Sequence, residues 1–270
     1  MTAWLLKCAI CAALLVGVLW VAPAFVEGGG EGEAISTDAS NLRVANSYWR
    51  SRDARVVIVG SSLAHRLSEE FFETPGIKNL SFEGGSSLTG LEIIASMPKR
   101  PRVVLVEANV LSRPADLALV RDVVERRPAP LRIVRWILRP GDQKKKLNVE
   151  QILAAGPSTR HEIAPIYLKP ASYTAESVKP NINNLKRLIL DLRRSGSKVL
   201  LFDLPFAPEL QHSTHRLSTN LAHAQFTDLA DWLPLAEDQS QLRWSDGVHL
   251  DARSSIVIAR EMDRALSKMP

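Results

Sequence analysis

Three residues in this chain have the types and the placement for nucleophilic acyl chemistry: Ser62, Asp246 and His249. Asp246 and His249 lie three apart in Trp244-Ser245-Asp246-Gly247-Val248-His249-Leu250. A glycine between them allows a tight loop with the carboxylate and the imidazole on one side. Ser62 stands in Val56-Val57-Ile58-Val59-Gly60-Ser61-Ser62-Leu63, just past an apolar run. A strand that carries a serine to its C-terminal tip, met by an acid and a histidine from a late loop, supplies a nucleophile, its base and the group that orients the base. Each part also has a plain structural use. Serine before a helix is a favoured N-cap, Gly84-Gly85 is a turn pair, Asp246-Gly247 is a turn that could cap the last helix, and Asn109 is a loop residue. The order of the parts and their position at strand ends carry the chemical reading.

The elements that must position these residues follow from apolar patterning. Arg55 to Gly60, Arg102 to Glu107 and Lys198 to Asp203 are nearly unbroken apolar runs, as expected of strands buried on both faces. Ile77 to Ser81 adds a short strand. Helical stretches separate them: Ser62 to Phe72, Ser87 to Met97, and Ile182 to Arg194 closed by Gly196. Phe226 to Leu229 reads as a further short strand, and Ala252 to Leu266 as a final helix. Strands alternating with helices predict an α/β fold with a parallel sheet between helical layers, and function then gathers at the carboxyl ends of the strands. Gly60-Ser61-Ser62, Asn79 to Gly85, Glu107 to Asn109 and Leu204-Pro205 fall there. Between 110 and 180 the pattern is interrupted by Pro128, Pro130, Pro140, Pro157, Pro165 and Pro170, with helical stretches at Ala115 to Arg127 and Leu131 to Leu138. This reads as an inserted cap or partner surface.

The N-terminus is a separate unit. Lys7 precedes an uncharged run from Cys8 to Val26, long enough to cross a bilayer, followed by Glu27-Gly28-Gly29-Gly30-Glu31. Residues 1–26 are read as an uncleaved membrane anchor, the alternative being a secretory signal cut near Ala22-Pro23-Ala24. In both cases the rest is exported. Residues 27–40 form a flexible tether, and 41–270 the globular domain. The two cysteines of the chain, Cys8 and Cys11, both lie in the apolar run. The domain therefore has no disulfide, thiol nucleophile or Cys₄ zinc site. His212, His215 and His223 have no carboxylate at zinc-ligand spacing, and no metal or cofactor is called for. A net charge of +5 spread among acids, without an aromatic-interleaved basic stripe, argues against nucleic acid as a partner. His65, one turn beyond Ser62, reads as a surface helix residue. Arg113 and Arg243 lie near the blocks and are candidates to hold an anionic substrate group.

On four of these blocks the chain resembles the SGNH/GDSL hydrolase superfamily, over residues 55 to 265. They are Val59-Gly60-Ser61-Ser62-Leu63, Asn79-Leu80-Ser81-Phe82-Glu83-Gly84-Gly85-Ser86, Val104-Leu105-Val106-Glu107-Ala108-Asn109, and Asp246-Gly247-Val248-His249. The resemblance implies a flavodoxin-like three-layer α/β/α sandwich. It implies catalysis by Ser62, Asp246 and His249, and an oxyanion hole from the Ser62 and Gly84 N–H groups and the Asn109 carboxamide. Two positions depart from the family pattern. Gly-Asp-Ser is Gly60-Ser61-Ser62 here, and Gly-x-Asn is Glu107-Ala108-Asn109, which makes Asn109 the weakest member of the set. Membrane-anchored relatives of this type resemble components of exopolysaccharide acetylation systems, including those acting on alginate or cellulose. The expectation is a serine-dependent carbohydrate O-acyl esterase or acyltransferase on an extracytoplasmic polysaccharide, anchored in the inner membrane beside an integral membrane acyltransferase. Esterase and transferase stay open. The alternatives are a lipase- or lysophospholipase-like esterase and a non-catalytic scaffold of the same fold.

Overall fold

The computed structural model describes residues 4, 11, 12, 15, 16, 36–51, 54–125, 149–155, 163–235 and 239–269. The chain divides into two compact units, 1–36 with 126–145, and 37–125 with 146–270. All strands and the whole candidate site belong to the second. Among the described residues no helix is long and apolar enough to cross a membrane. The anchor read at 1–26 lies almost wholly outside those residues, as does the helix read at Leu131 to Leu138.

Four parallel strands form the sheet: β1 (Val56–Gly60), β2 (Ile77–Ser81), β3 (Val103–Glu107) and β4 (Lys198–Phe202), in the order β2-β1-β3-β4. The strand order reverses between β1 and β3. At such a switch point the flanking connections leave to opposite faces and open a crevice at the carboxyl ends of the two strands. Gly60 and Glu107 are the last residues of those strands.

Every β1 residue is buried. Alternate strand positions feed two separate cores, as period-two side chains must. Val57, Val59, Val104, Val106, Val199 and Leu201 pack with Leu91, Ile94, Leu185 and Leu188 on one face. Val56, Ile58, Leu105, Leu200 and Phe202 pack with Ile258 and Met262 on the other. Each such side chain contributes about 1.5–3 kcal/mol on burial, and together they fix the strand ends that carry the site.

Eight α-helices are described: α1 (Thr37–Arg50), α2 (Ser62–His65), α3 (Ser87–Ser96), α4 (Leu117–Glu125), α5 (Val149–Ala154), α6 (Ala175–Arg194), α7 (Leu217–Gln225) and α8 (Ala252–Ser267). Some differ from the sequence reading. The first starts within the stretch read as tether, because Asn41, Ala45 and Tyr48 bury a face against the domain. The stretch Ser62 to Phe72 breaks into α2 and a 3₁₀ turn at Glu69–Phe71. The helix read from Ile182 begins at Ala175, where Thr174 and Ser177 form a reciprocal capping box, and it runs through Pro180. Phe226 to Leu229 is no strand. Phe226 ends α7, and only Trp232 bridges to β4, at Leu201. Within 110–180, α5 packs Val149, Ile152 and Leu153 against Phe71, Ile256 and Ala259, on the flank of α8.

The last helix is capped by Asp251, whose side chain accepts the Ser254 N–H at 2.7 Å. Asp246 is therefore not needed as its cap. Removing the cap in Asp251→Ala is expected to cost about 1 kcal/mol of stability, read by chemical denaturation.

Candidate active site

The serine arrives on a turn whose structural work is done by its neighbours. Ser61, not Ser62, is the N-cap of α2: its Oγ accepts the Leu63 N–H at 3.2 Å. Ser62 thus stands at the first helical position with its hydroxyl uncommitted to capping. The first N–H groups of a helix have no intrahelical acceptor, which leaves the Ser62 N–H as a donor available to a partner outside the helix.

Close packing makes Gly60 necessary before this turn. A Cβ there would lie 2.5 Å from Glu107 Oε2 and 2.6 Å from Ala64 Cβ. Any side chain at 60 would push either the β3 end or α2 away.

The acid and the histidine come from a small closed loop. Trp244 and Leu250 form an antiparallel bridge at its base, and the Ser245 N–H donates to the His249 carbonyl at 2.8 Å. Trp244, 2% exposed, anchors the loop by donating Nε1–H to the Pro205 carbonyl at 2.8 Å, just past β4. The Ala207 N–H adds a bond to the Gly247 carbonyl at 2.8 Å.

Inside the loop Asp246 accepts three hydrogen bonds. Oδ1 takes the N–H of Val248 at 3.1 Å and of His249 at 2.8 Å; Oδ2 takes the His249 Nδ1–H at 2.6 Å. Burial by itself would raise the Asp246 carboxyl. The His249 ring hydrogen bond, the two backbone N–H groups and the ring's charge outweigh it and hold the carboxyl below its ordinary value. With Nδ1–H fixed toward Asp246, His249 Nε2 is the acceptor, and it lies 2.8 Å from Ser62 Oγ. The structure thus brings Ser62, His249 and Asp246 into one continuous relay, with the carboxylate on the far side of the ring from the serine. Such a relay can remove the serine proton, hold it, and return it to a leaving group.

Gly84 sits on the turn that follows β2. Ser81 is paired with Gly60, and the Phe82 N–H donates to the Gly60 carbonyl at 3.0 Å, so this turn stands beside the serine elbow. Its φ of +69° favours glycine, it is exposed, and a Cβ there would meet nothing within 4 Å. Open space lies in front of the backbone, as close approach of a substrate carbonyl requires.

Asn109 is used differently from the sequence expectation. It is 1% exposed, and its carboxamide clamps the chain leaving β4: Nδ2 donates to the Leu204 carbonyl at 2.8 Å and Oδ1 accepts the Leu204 N–H at 2.7 Å. Oδ1 and one Nδ2 hydrogen of the amide are engaged by the backbone that leads to Pro205 and so to the Trp244 anchor. Asn109→Ala leaves the buried Leu204 N–H and carbonyl unpaired, an expected loss of about 2–3 kcal/mol in stability. Turnover is expected to fall far less than in Ser62→Ala. An equal loss in a fully folded variant would return the carboxamide to the oxyanion hole.

Sequence reasoning missed two features. Glu107 ends the apolar β3 strand, 1% exposed, under the serine elbow. Its signal was visible: a carboxylate closing a run of buried Val and Leu. The segment 163–167 lies against the acid loop, with the Ala164 N–H donating to the Asp246 carbonyl at 2.9 Å and Ile163 beside Gly247. No periodicity marks that contact. The Tyr167 hydroxyl is raised by burial and by the Asp246 charge, against the opposing pull of exposed Arg113.

The remaining candidates have local roles. His65 bonds the Ser81 carbonyl through Nδ1 at 3.0 Å and has Nε2 3.6 Å from Glu83. Arg243 spends its guanidinium on the Ser240 and Leu242 carbonyls. His215 bonds the Lys169 carbonyl, and His223 stacks on Trp232. No protein-family model and no curated protein matches this chain.

Proposed function

We propose that this chain is a serine-dependent O-acyl esterase or acyltransferase with a Ser62–His249–Asp246 triad, acting on an acylated carbohydrate outside the cytoplasm. The observation that carries the reading is the unbroken relay, with His249 Nε2 2.8 Å from Ser62 Oγ and Nδ1 2.6 Å from Asp246. Supporting it, the β2-β1-β3-β4 parallel order with a core on each face fits the flavodoxin-like three-layer sandwich of the SGNH superfamily, and Ser62 follows β1 at the switch point. Membrane anchoring through residues 1–26, a polysaccharide substrate and an integral membrane acyltransferase partner belong to the same proposal and rest on the sequence reading.

The chemistry runs through this chain's own groups. Ser62 Oγ attacks the ester carbonyl while His249 Nε2 takes its proton. The carbonyl oxygen, now an anion, is met by the Ser62 and Gly84 N–H groups. His249 then returns the proton to the leaving alkoxide, and the acyl group remains on Ser62 as an ester. A water or a sugar hydroxyl enters and loses its proton to His249 as it attacks the acyl carbonyl; the bond to Ser62 Oγ then breaks, His249 returns the proton to that oxygen, and the acyl group leaves on its new acceptor. Asp246 keeps the ring in the required tautomer throughout and balances its charge when protonated.

A scaffold kept only for its fold has no need to hold the imidazole between the serine and the carboxylate, so the relay favours the catalytic reading over that alternative. The test is release of nitrophenol from 4-nitrophenyl acetate by the full chain, followed by acetylated sugar oligomers with and without an unacetylated acceptor. Turnover that depends on Ser62 supports the proposal. A folded chain that neither hydrolyses nor transfers acetyl groups in either assay would contradict it.

A further inference from the structure

The triad leaves unused a buried carboxylate directly beneath its nucleophile. Glu107 Oε2 accepts the Ser61 N–H at 2.7 Å and the Ala64 N–H at 3.3 Å. Ser61 Oγ lies 2.9 Å from both carboxylate oxygens. Since Ser61 Oγ already accepts from Leu63 N–H, its own proton is directed to Glu107. Three donors thus converge on one carboxylate, all from the residues that flank Ser62. Every hydrogen in this cluster finds an acceptor when Glu107 is ionised. A proton on the carboxyl would have to compete with the Ser61 hydroxyl for the same gap.

The space for the Glu107 carboxylate is kept by Gly60, where an added Cβ would lie 2.5 Å from Oε2.

We infer that Glu107 is a positioning residue for the proposed reaction: an ionised carboxylate whose hydrogen bonds from Ser61 and Ala64 fix the backbone around Ser62. This rests on the reading of Ser62 as nucleophile. Asp246 accepts from the His249 ring within its own loop, and Glu107 on β3 is drawn to that ring electrostatically; Tyr167 feels both Asp246 and Arg113, and His65 Nε2 lies 3.6 Å from Glu83, next to Gly84. Burial raises the Glu107 carboxyl above its ordinary value, opposed by the hydrogen bonds from Ser61 and Ala64 and by attraction to His249.

Two consequences separate this role from a merely structural one. A carboxyl raised in the fold contributes stability that is full below the ordinary carboxylate range and falls as pH rises through the folded value. At neutral pH the isosteric Glu107→Gln keeps an oxygen for the two backbone N–H groups and loses the cost of burying the charge, while its amide N–H groups meet the Ser61 hydroxyl. The two effects oppose each other, and its Tm is expected to stay within a few degrees of that of the unsubstituted chain. Removing the negative charge also removes the attraction between Glu107 and His249, so the rising limb of kcat/KM against pH is expected to move to lower pH. With 4-nitrophenyl acetate, kcat should fall about tenfold while KM stays within about twofold.

The experiment compares the full chain, Glu107→Gln and Ser62→Ala in Tm, in the pH profile, and in the NMR titration of the His249 ring. A fall in kcat with preserved Tm and both pH curves moved down supports the inference. Loss of Tm and kcat together with both curves unmoved would overturn it and make Glu107 a packing group. Unchanged kcat and unchanged curves would overturn it as well. The ring titration needs no turnover: if Ser62→Ala proves as active as the unsubstituted chain, the nucleophile reading fails while a moved titration still upholds the charge coupling.

Discussion

On the proposed mechanism, Ser62→Ala is expected to lower turnover of a simple acetate ester by about 10⁴–10⁶-fold while leaving the fold intact, since loss of the nucleophile in a triad removes nearly all of its catalysis. No neighbouring hydroxyl can take over. Ser61 is the nearest in sequence, yet it is 1% exposed, caps α2 and directs its proton to Glu107. The hydroxyl lost at 62 is bonded to His249 and takes no part in capping or in the sheet. Alanine is also a better helix former than serine. The Tm is therefore expected to stay within a degree or two, so that lost activity cannot be assigned to lost structure. Initial rates with 4-nitrophenyl acetate and a thermal melt on the same preparation check both parts.

Asp246→Asn has the second largest expected effect, about 10³–10⁴-fold in kcat, and it acts through the tautomer of a ring it leaves in place. The asparagine oxygen can keep the two backbone N–H groups that Oδ1 now accepts. Its amide then presents a donor to His249 Nδ1, where the carboxylate presents an acceptor. The ring answers by carrying its proton on Nε2, which turns a donor toward Ser62 Oγ and removes the acceptor on which attack depends. The variant should bind substrate with little change in KM. It also loses a pH-dependent part of the stability. The Asp246 carboxyl is held below its ordinary value, so its contribution is full above the ordinary carboxylate range and is lost as pH falls through the folded value. Acid titrations of the two proteins should converge at low pH and separate above it. Rates above one tenth of the unsubstituted chain would mean that the ring does not depend on Asp246.

The sheet was legible because three runs of branched and apolar residues have no other good placement than buried strands, and they and the short Ile77–Ser81 each appear within a residue or so of the expected bounds. The residues of the relay were legible because glycine and serine at a strand end, and an acid near a histidine in a late loop, are types with few alternative uses in combination. What sequence periodicity could not carry was the division of labour between neighbours. Ser61 and Ser62 are indistinguishable by type, and only the hydrogen bonds to Leu63 and Glu107 separate the cap from the nucleophile. Asn109 had the right type for an oxyanion donor, but its partner, Leu204, lies 95 residues away. Glu107 looked like an oddity at a strand end because its donors sit on another strand's exit turn. The misread elements have local causes: a capping box outside the apolar pattern starts α6 early, and the bridge to β4 comes from Trp232 rather than from the apolar cluster before it.

The most direct measurement is mass spectrometry of the full chain quenched during turnover of 4-nitrophenyl acetate, with the peptides mapped. One acetyl group on the peptide carrying Ser62, absent from Ser62→Ala and accumulating in Asp246→Asn only at its slower rate, is the expected result. Turnover with Ser62 unmodified at every time point, or an acetyl group carried only on another residue, would contradict the assignment of Ser62 as nucleophile.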